Sequence, residues 1–414
     1  MKYYSTNHTA PEVTLGEAVV RGLAPDKGLY MPERIEKLPR SFYDGIASMS
    51  FHEIACRVAE AFFGDDIEHE TLRKIVCDTL SFETPVVRVE PGIYSLELFH
   101  GPTLAFKDVG ARFMARMLSH FIGRDNGRVS VLVATSGDTG SAVAHGFHNV
   151  PGVEVVVLYP EGKISRLQEC QMTTLGGNIH PLRVAGTFDD CQRLVKGLFA
   201  DAKFRAGHRV SSANSINLLR WIPQAFYYFN AYARLREAGL SGPIVVSVPS
   251  GNFGNLTAGL FAKRMGLPVK RFIAANNRND IFYHYLQTGN YEPRPSVATI
   301  ANAMDVGDPS NFARILDLYG RSLEAIRADI SAARYDDGQI CRAIAETLER
   351  TGYLLDPHGA CGYLALCEGL REDETGVFLE TAHPAKFRDR VEPVIGRSIE
   401  IPARLAEFMR GKKL

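Results

Sequence analysis

The sequence predicts an α/β fold, and three observations carry that reading. Short, continuous apolar runs rich in β-branched residues recur from about residue 94 onward: VSVLVA (129–134), VEVVVLY (153–159), IVVSV (244–248) and VFLE (377–380). Runs without polar alternation suit strands buried on both faces of a parallel sheet. Helical patterns lie between them, as in LLRWIPQAFYYFNAYARLREAG (218–239) and DGQICRAIAETLERTG (337–352), and such alternation is the signature of α/β architecture. Finally, three of the runs lead into loops of small and polar residues, TSGDTG (135–140), SGNFGN (250–255) and TAHPAKF (381–387). The carboxyl ends of strands are where open α/β sheets bind ligands.

Before these strands, the first 90 or so residues read as mostly helical, as in FHEIACRVAEAFFG (51–64), with Gly/Pro punctuation at GLAPDKGLYMP (22–32). The whole chain of 414 residues is 45% hydrophobic and 23% charged, ordinary for a globular protein of two or three packed units. Lys+Arg and Asp+Glu both number 47, so no global field favours nucleic acid or an acidic membrane surface. No apolar run approaches a membrane span, and the N-terminus lacks the apolar core of a signal peptide. The seven cysteines are scattered and form no CxxC, which fits reduced thiols in the cytoplasm and argues against structural zinc.

Chemistry concentrates in the loops and in one lysine. SGNFGN suits a phosphate: two glycines allow close backbone approach, Asn and Ser supply donors, and no acid repels the anion. TSGDTG has comparable donors in Thr135, Ser136 and Thr139 but carries Asp138. Taken singly, each loop could equally be a tight turn capped by Ser, Thr or Asn. In GPTLAFKDVGARF (101–113), Lys107 sits in the first turn of an expected helix beginning near Ala105, flanked by apolar residues. Desolvation and the positive end of the helix dipole both disfavour its charged form, which makes it a better nucleophile. Gly110 and Ala111, three and four residues on, would leave room beside its stem. The competing reading is a surface lysine paired with Asp108. His145 and His148, three apart, could share a helix face but have no carboxylate neighbour, so no metal site is expected. His383 reads equally as a neighbour of the site or as an ordinary loop residue, Lys386 as lining an anion site or as solvated, and Ser165 as a helix cap.

HGPTLAFKDVGARF, ATSGDTGSA, SVPSGNFGN and TAHPAKF, in that order, resemble the threonine synthases, pyridoxal-phosphate enzymes of the tryptophan-synthase-like, fold type II group. The opening segment YYSTNHTAPEVTLGEAVVRGLAPDKGLYMP, GTFDDCQRLVK and NSINLLR are similar to that family as well, so the resemblance spans nearly the whole chain. It implies two open parallel-sheet α/β lobes and a mostly helical N-terminal domain. The expected boundaries are 1–92 for the helical domain, 93–110 with 206–414 for the large cofactor-binding lobe, and 111–205 for the smaller lobe.

The resemblance also implies roles. Lys107 would hold pyridoxal 5'-phosphate as a Schiff base and serve as acid–base. Gly251, Asn252, Phe253, Gly254 and Asn255 would cradle the cofactor phosphate, and Thr381 would meet the pyridine nitrogen. Ser136, Gly137, Asp138 and Thr139, with Thr135, would engage the substrate carboxylate and the region of the cofactor's phenolic oxygen. Asn214, Ser215 and Arg220 would contact the substrate phosphate, where an Arg fork with amide and hydroxyl donors makes chemical sense. Cysteine synthases and threonine dehydratases usually carry Asn where this chain has Asp138, which resembles one branch of threonine synthases. The implied reaction takes O-phospho-L-homoserine and water to L-threonine and phosphate by γ-elimination and β-addition. Two alternatives stand beside it: a phospholyase giving 2-oxobutyrate, ammonia and phosphate from the same substrate, and a non-catalytic binder of phosphorylated metabolites. A monomer or homodimer in the cytoplasm, without nucleic-acid or membrane partners, is expected. The plant branch is activated by S-adenosylmethionine through an N-terminal extension; this chain opens almost directly at KYYST, so no such regulation is expected.

Overall fold

The computed structural model describes residues 1–123 and 127–413. Helices Leu15–Arg21, Arg40–Gly45, Phe51–Phe63 and His69–Thr79 make up nearly half of its first 80 residues. Thr14 and Ser50 open two of them with reciprocal capping boxes to Glu17 and Glu53. Along Phe51–Phe63 the buried residues Phe51, Ile54, Ala55, Val58, Ala59, Phe62 and Phe63 recur at helical spacing, so one face is committed to the core. A short antiparallel pair, β1 (Tyr3–Ser5) and β2 (Tyr30–Pro32), closes this region.

The remaining strands are, in chain order, β3 (Val86–Glu90), β4 (Ile93–Glu97), β5 (Val129–Ala134), β6 (Val153–Pro160), β7 (Ile179–Val184), β8 (Val210–Ser212), β9 (Ile244–Pro249), β10 (Val269–Asn276), β11 (Ile330–Arg334) and β12 (Thr375–Glu380). They form a six-stranded sheet in the order β11-β10-β9-β12-β4-β3 and a four-stranded sheet in the order β7-β6-β5-β8. Every pairing is parallel except the hairpin β3–β4. The fold is thus α/β with parallel sheets in two lobes, as the apolar runs indicate. Strands β9 and β12 are buried at every position, which is why they read as unbroken apolar sequence.

Strand pairing moves two of the expected boundaries. β3 lies within the segment assigned to the helical domain, yet it hydrogen-bonds to β4 in the large sheet. β8 lies beyond residue 205, yet it pairs with β5 and belongs to the small sheet. The aromatic stretch around Trp221 is helix packing: Phe226, Tyr227, Tyr228 and Phe229 are all buried on helix Ala225–Glu237, which packs on helices Phe51–Phe63 and Gly254–Arg264. Among the described residues, no helix is long and apolar enough to cross a membrane.

Candidate active site

Two distant parts of the chain meet at Lys107. Beyond the end of β12, the carbonyl of Thr381 accepts the Phe106 amide at 2.8 Å, Ala382 bridges to Ala105, and the His383 amide donates to the Leu104 carbonyl at 3.1 Å. Leu104 is left-handed, with φ of 56°, and this turn aims the chain into helix Lys107–Gly123. Lys107 is therefore the first helical residue, two later than the sequence suggests. It is half-buried, its Nζ donates to Thr139 Oγ1 at 2.7 Å, and it lies 5.3 Å from the centroid of the Phe106 ring. Burial, then the charge of Arg220, pull the Lys107 pKa down to about 8, against the opposing pull of Asp138.

The neighbours of Lys107 on its helix act otherwise than expected. Gly110 does not leave a gap beside the lysine: a Cβ there would come within 2.3 Å of the Arg220 carbonyl oxygen, so the missing side chain lets the backbone of helix Leu218–Trp221 approach. Ala111 in turn packs against Gly146, where a Cβ would lie 3.1 Å from its carbonyl carbon. Asp108 is buried and accepts the Thr103 amide at 2.9 Å and the Thr103 hydroxyl at 2.7 Å. It fixes the Gly-Pro-Thr turn. Burial raises its pKa above the ordinary carboxylate value despite those two bonds.

TSGDTG runs from β5 into helix Asp138–Phe147. The Thr135 hydroxyl is spent on the loop itself, accepting the amides of Gly137 at 2.9 Å and Gly140 at 2.7 Å. Gly137 has φ of 137°, and a Cβ there would sit 2.4 Å from the Gln168 amide group. The Ser136 carbonyl accepts the Asn302 side chain at 3.5 Å. Asp138 is buried, with Lys386 Nζ at 2.6 Å and Gln168 Nε2 at 3.0 Å. Burial pushes its pKa up, but the charge and hydrogen bond of Lys386 together with the Gln168 bond outweigh this and hold it below the ordinary value.

SGNFGN runs from β9 into helix Gly254–Arg264. Phe253 precedes the helix in a left-handed conformation, with φ of 61°, and no side chain caps it. Among the described residues, five helices elsewhere in the chain begin with reciprocal caps, including the Ser165 cap of Arg166–Thr173 that the sequence suggests, while Asp138–Phe147, on the other glycine loop, likewise starts without a side-chain cap. Asn252 donates to Ser215 Oγ at 2.7 Å and accepts the Ser310 amide at 2.7 Å, while Asn311 donates to the same Ser215 oxygen at 2.9 Å. A Cβ at Gly251 would lie 2.8 Å from Met304 Cα, so this loop tolerates no side chain there. Asn255 accepts the Tyr228 hydroxyl at 2.7 Å through Oδ1 and leaves its Nδ2 buried without a partner.

NSINLLR is divided in its use. Asn214 acts like a further strand residue, its amide clamping the Ala134 N–H at 3.1 Å and the Ala134 carbonyl at 2.7 Å. Ser215 belongs with the SGNFGN loop. Arg220 is buried and donates to the Ala213 carbonyl at 2.5 Å, its Nε has no partner, and no carboxylate among the described residues pairs with it. Burial lowers its pKa to about 10.

Sequence reasoning missed Arg314, which is fully buried, donates to the carbonyls of Ser215 at 2.8 Å and Ile216 at 2.7 Å, and lies over the Trp221 ring. No local pattern marks it. Lys386 was visible within TAHPAKF, but its burial was not. His383 takes the loop role, its Nδ1 accepting the Ala385 amide at 3.1 Å. Histidine 145 packs edge-on against Phe408, and burial lowers its pKa to about 4.

These features suit a molecule carrying both an anion and an electrophilic carbonyl. The helix start at Gly254, the orphaned donor Asn255 Nδ2 and the partly dehydrated Lys107 amine fit pyridoxal phosphate. A family model described as pyridoxal-phosphate dependent enzyme matches residues 79–381. Fold and site together therefore define a pyridoxal-phosphate enzyme of fold type II. Models described as threonine synthase N terminus and threonine synthase, C-terminal, match residues 2–80 and 359–413. The chain is 45% identical over 407 residues to the threonine synthase of Escherichia coli (strain K12), covering 98% of this chain and 94% of that protein. The crystal structure of threonine synthase from Escherichia coli superposes with a TM-score of 0.95 at 44% identity, covering 100% of this chain and 95% of that one. The pyridoxal-phosphate-bound threonine synthase from Brucella melitensis gives a TM-score of 0.93 at 37% identity, with 100% and 95% covered. The chain belongs to the threonine synthase family.

Proposed function

We propose that this enzyme converts O-phospho-L-homoserine and water to L-threonine and inorganic phosphate, with Lys107 as both cofactor anchor and acid–base. The observation that carries the reading is the Lys107 amine, 2.7 Å from Thr139 Oγ1 and with its pKa drawn down to about 8. Such an amine is available as a nucleophile and can also hold and return a proton near neutral pH. When bound, pyridoxal phosphate supplies an electron sink that stabilises negative charge at the substrate carbons.

The residues divide the remaining work. Gly251, Asn252, Phe253, Gly254 and Asn255 hold the cofactor phosphate on backbone donors and the helix N-terminus. Thr381 would present its hydroxyl to the pyridine nitrogen. Ser136, Gly137 and Thr139 would receive the substrate carboxylate on a loop that Thr135 shapes, with Asp138 the residue that would serve the region of the cofactor's phenolic oxygen. Arg220 would meet the substrate phosphate, its buried Nε being without a partner. Asn214 and Ser215 position that arginine's segment against β5 and the phosphate loop. Lys107 removes the proton from the substrate Cα and later returns it. The enzyme acts in the cytoplasm, where its free cysteines stay reduced, as a monomer or homodimer.

The test is to incubate the cofactor-loaded protein with O-phospho-L-homoserine and follow phosphate, threonine and 2-oxobutyrate together. Threonine and phosphate in equal amounts, without 2-oxobutyrate, are expected. Release of 2-oxobutyrate and ammonia would make the enzyme a phospholyase, and no phosphate release at all would reject both. Lys107→Ala should lose turnover and the near-visible absorbance of the loaded protein; threonine formation in that variant would sink the assignment.

A further inference from the structure

Asp138 precedes Thr139, the residue whose hydroxyl receives the Lys107 amine. A bare carboxylate in that position would favour the charged form of the amine, because a nearby opposite charge stabilises it. Proton abstraction by Lys107 requires the neutral form. A second lysine bears on this conflict. Lys386 Nζ lies 2.6 Å from Asp138 Oδ1, with side-chain exposures of 0% and 4%, and it donates to the Thr103 carbonyl at 2.9 Å. The Thr103 amide and hydroxyl are held by Asp108, and its carbonyl also accepts Gln171 Nε2 at 3.0 Å. One continuous array, Asp138–Lys386–Thr103–Asp108, thus links the carboxylate beside Thr139 to the carboxylate that follows Lys107 in the chain.

Asp108, at one end of this array, faces Lys386, Arg112, Arg220 and Tyr227. Lys107 faces Arg220 and Asp138 across the site, with Asp108 next to it on its own helix. Asp138 faces Lys386, Gln168 and, farther off, His358. Lys386 faces Asp138, Asp108 and His383. A buried ion pair is a weak route to stability, since matched apolar residues often serve as well. Its placement one residue from the Lys107 partner points instead to a task of charge control.

We propose that Lys386 is a positioning residue that neutralises Asp138, so that the Lys107 amine meets a balanced ion pair instead of a bare carboxylate. Asp138 keeps its second bond, to Gln168, and with it the geometry of the loop that carries Thr139. The proposal rests on the reading of Lys107 as the cofactor-bearing amine.

The experiment follows the near-visible absorbance of the cofactor-loaded protein against pH, in the wild type, Lys386→Met, Lys386→Arg, Asp138→Asn and the double variant Asp138→Asn/Lys386→Met. Removing Lys386 alone leaves an unbalanced negative charge and should raise the titration midpoint by about one pH unit, a tenfold change in acidity. Asp138→Asn should lower it, the double variant should return toward the wild type, and Lys386→Arg should restore most of the effect. Should Lys386→Met fail to fold, Asp138→Asn and the double variant still decide, because their midpoints must differ in the stated order. Folded variants whose midpoints match a normal wild-type titration would overturn the proposal alone. A wild type that takes up no cofactor at Lys107 would overturn the reading beneath it as well.

Discussion

Adding one methyl group at Gly110 sets two effects against each other. Alanine in a helix interior is favoured over glycine by about 1 kcal/mol, so the exposed-helix expectation is a stabler protein. The new Cβ, however, would lie 2.3 Å from the Arg220 carbonyl oxygen, 3.2 Å from its carbon and 3.5 Å from its Cα. All three are backbone atoms of helix Leu218–Trp221, so no side chain can swing aside. Restoring van der Waals contact demands a displacement of roughly 1 Å in an interior packed like a crystal. Overpacking of this kind costs about 1–3 kcal/mol, which outweighs the propensity gain. The displaced element carries Arg220, and a misplacement of about 1 Å is enough to cost about 100-fold in rate. Urea unfolding and steady-state kinetics on O-phospho-L-homoserine check both halves. Gly110→Ala should be modestly destabilised, with kcat/KM down by about 100-fold. A stabler variant with wild-type kcat/KM would refute the close-approach argument.

Other perturbations follow from single groups. In the cofactor-free protein, Lys107 releases its proton near pH 8 while the unfolded chain holds it to about 10.5. Between those values the unfolded state binds the extra proton, so stability should rise with pH, by an amount on the order of 2 kcal/mol after solvent screening. Denaturant midpoints measured across that range should lose the rise in Lys107→Met. Glu380 is fully buried; burial, then the nearby Asp356, raise its pKa well above the ordinary value, which favours the neutral carboxyl. Glu380→Gln should therefore shift stability by less than about 1 kcal/mol, and a loss beyond about 3 kcal/mol in urea unfolding would show an ionised group. Thr103→Val removes the hydroxyl from Asp108 and leaves that buried carboxylate with the Thr103 amide. Hydrogen bonds to charged groups suggest a loss of about 1.5–3 kcal/mol, read from the same unfolding measurement.

The strands legible in the sequence were those whose burial on both faces writes itself as an unbroken apolar run. β5 coincides with the run 129–134, and β6, β9 and β12 differ from theirs by one or two residues at one end. β7 was not legible because it is an edge strand with exposed residues on it, and β8 because it has three residues. Sheet membership of β3 and β8 depends on hydrogen bonding to a partner, which no local pattern encodes. The site divides in the same way. Lys107 and the two glycine loops stand out by their own composition. The burial of Lys386, the arginine behind Ser215 and the spent hydroxyl of Thr135 depend on what the fold brings opposite them. Gly110 shows the limit most clearly, since a missing side chain looks the same whether it leaves a void or admits a backbone.

The position of β12 between β9 and β4 has a consequence for how the protein is made. The small sheet draws only on residues from Val129 to Ser212 and can close while the rest of the chain is still being synthesised. The large sheet cannot, because the strand that joins β4 to β9 is the last strand in the chain, and β4 must wait with an open edge. Non-local pairings of this kind slow folding and prolong the exposure of unpaired strands. Lys107 emerges early, yet the Thr381 carbonyl that fixes the residue before it and the Lys386–Asp138 pair arrive only with the final residues. With Lys107 as the proposed cofactor-bearing amine, cofactor capture would belong to the end of folding, and a nascent chain stopped before β12 would present that amine without the groups that surround it in the folded protein.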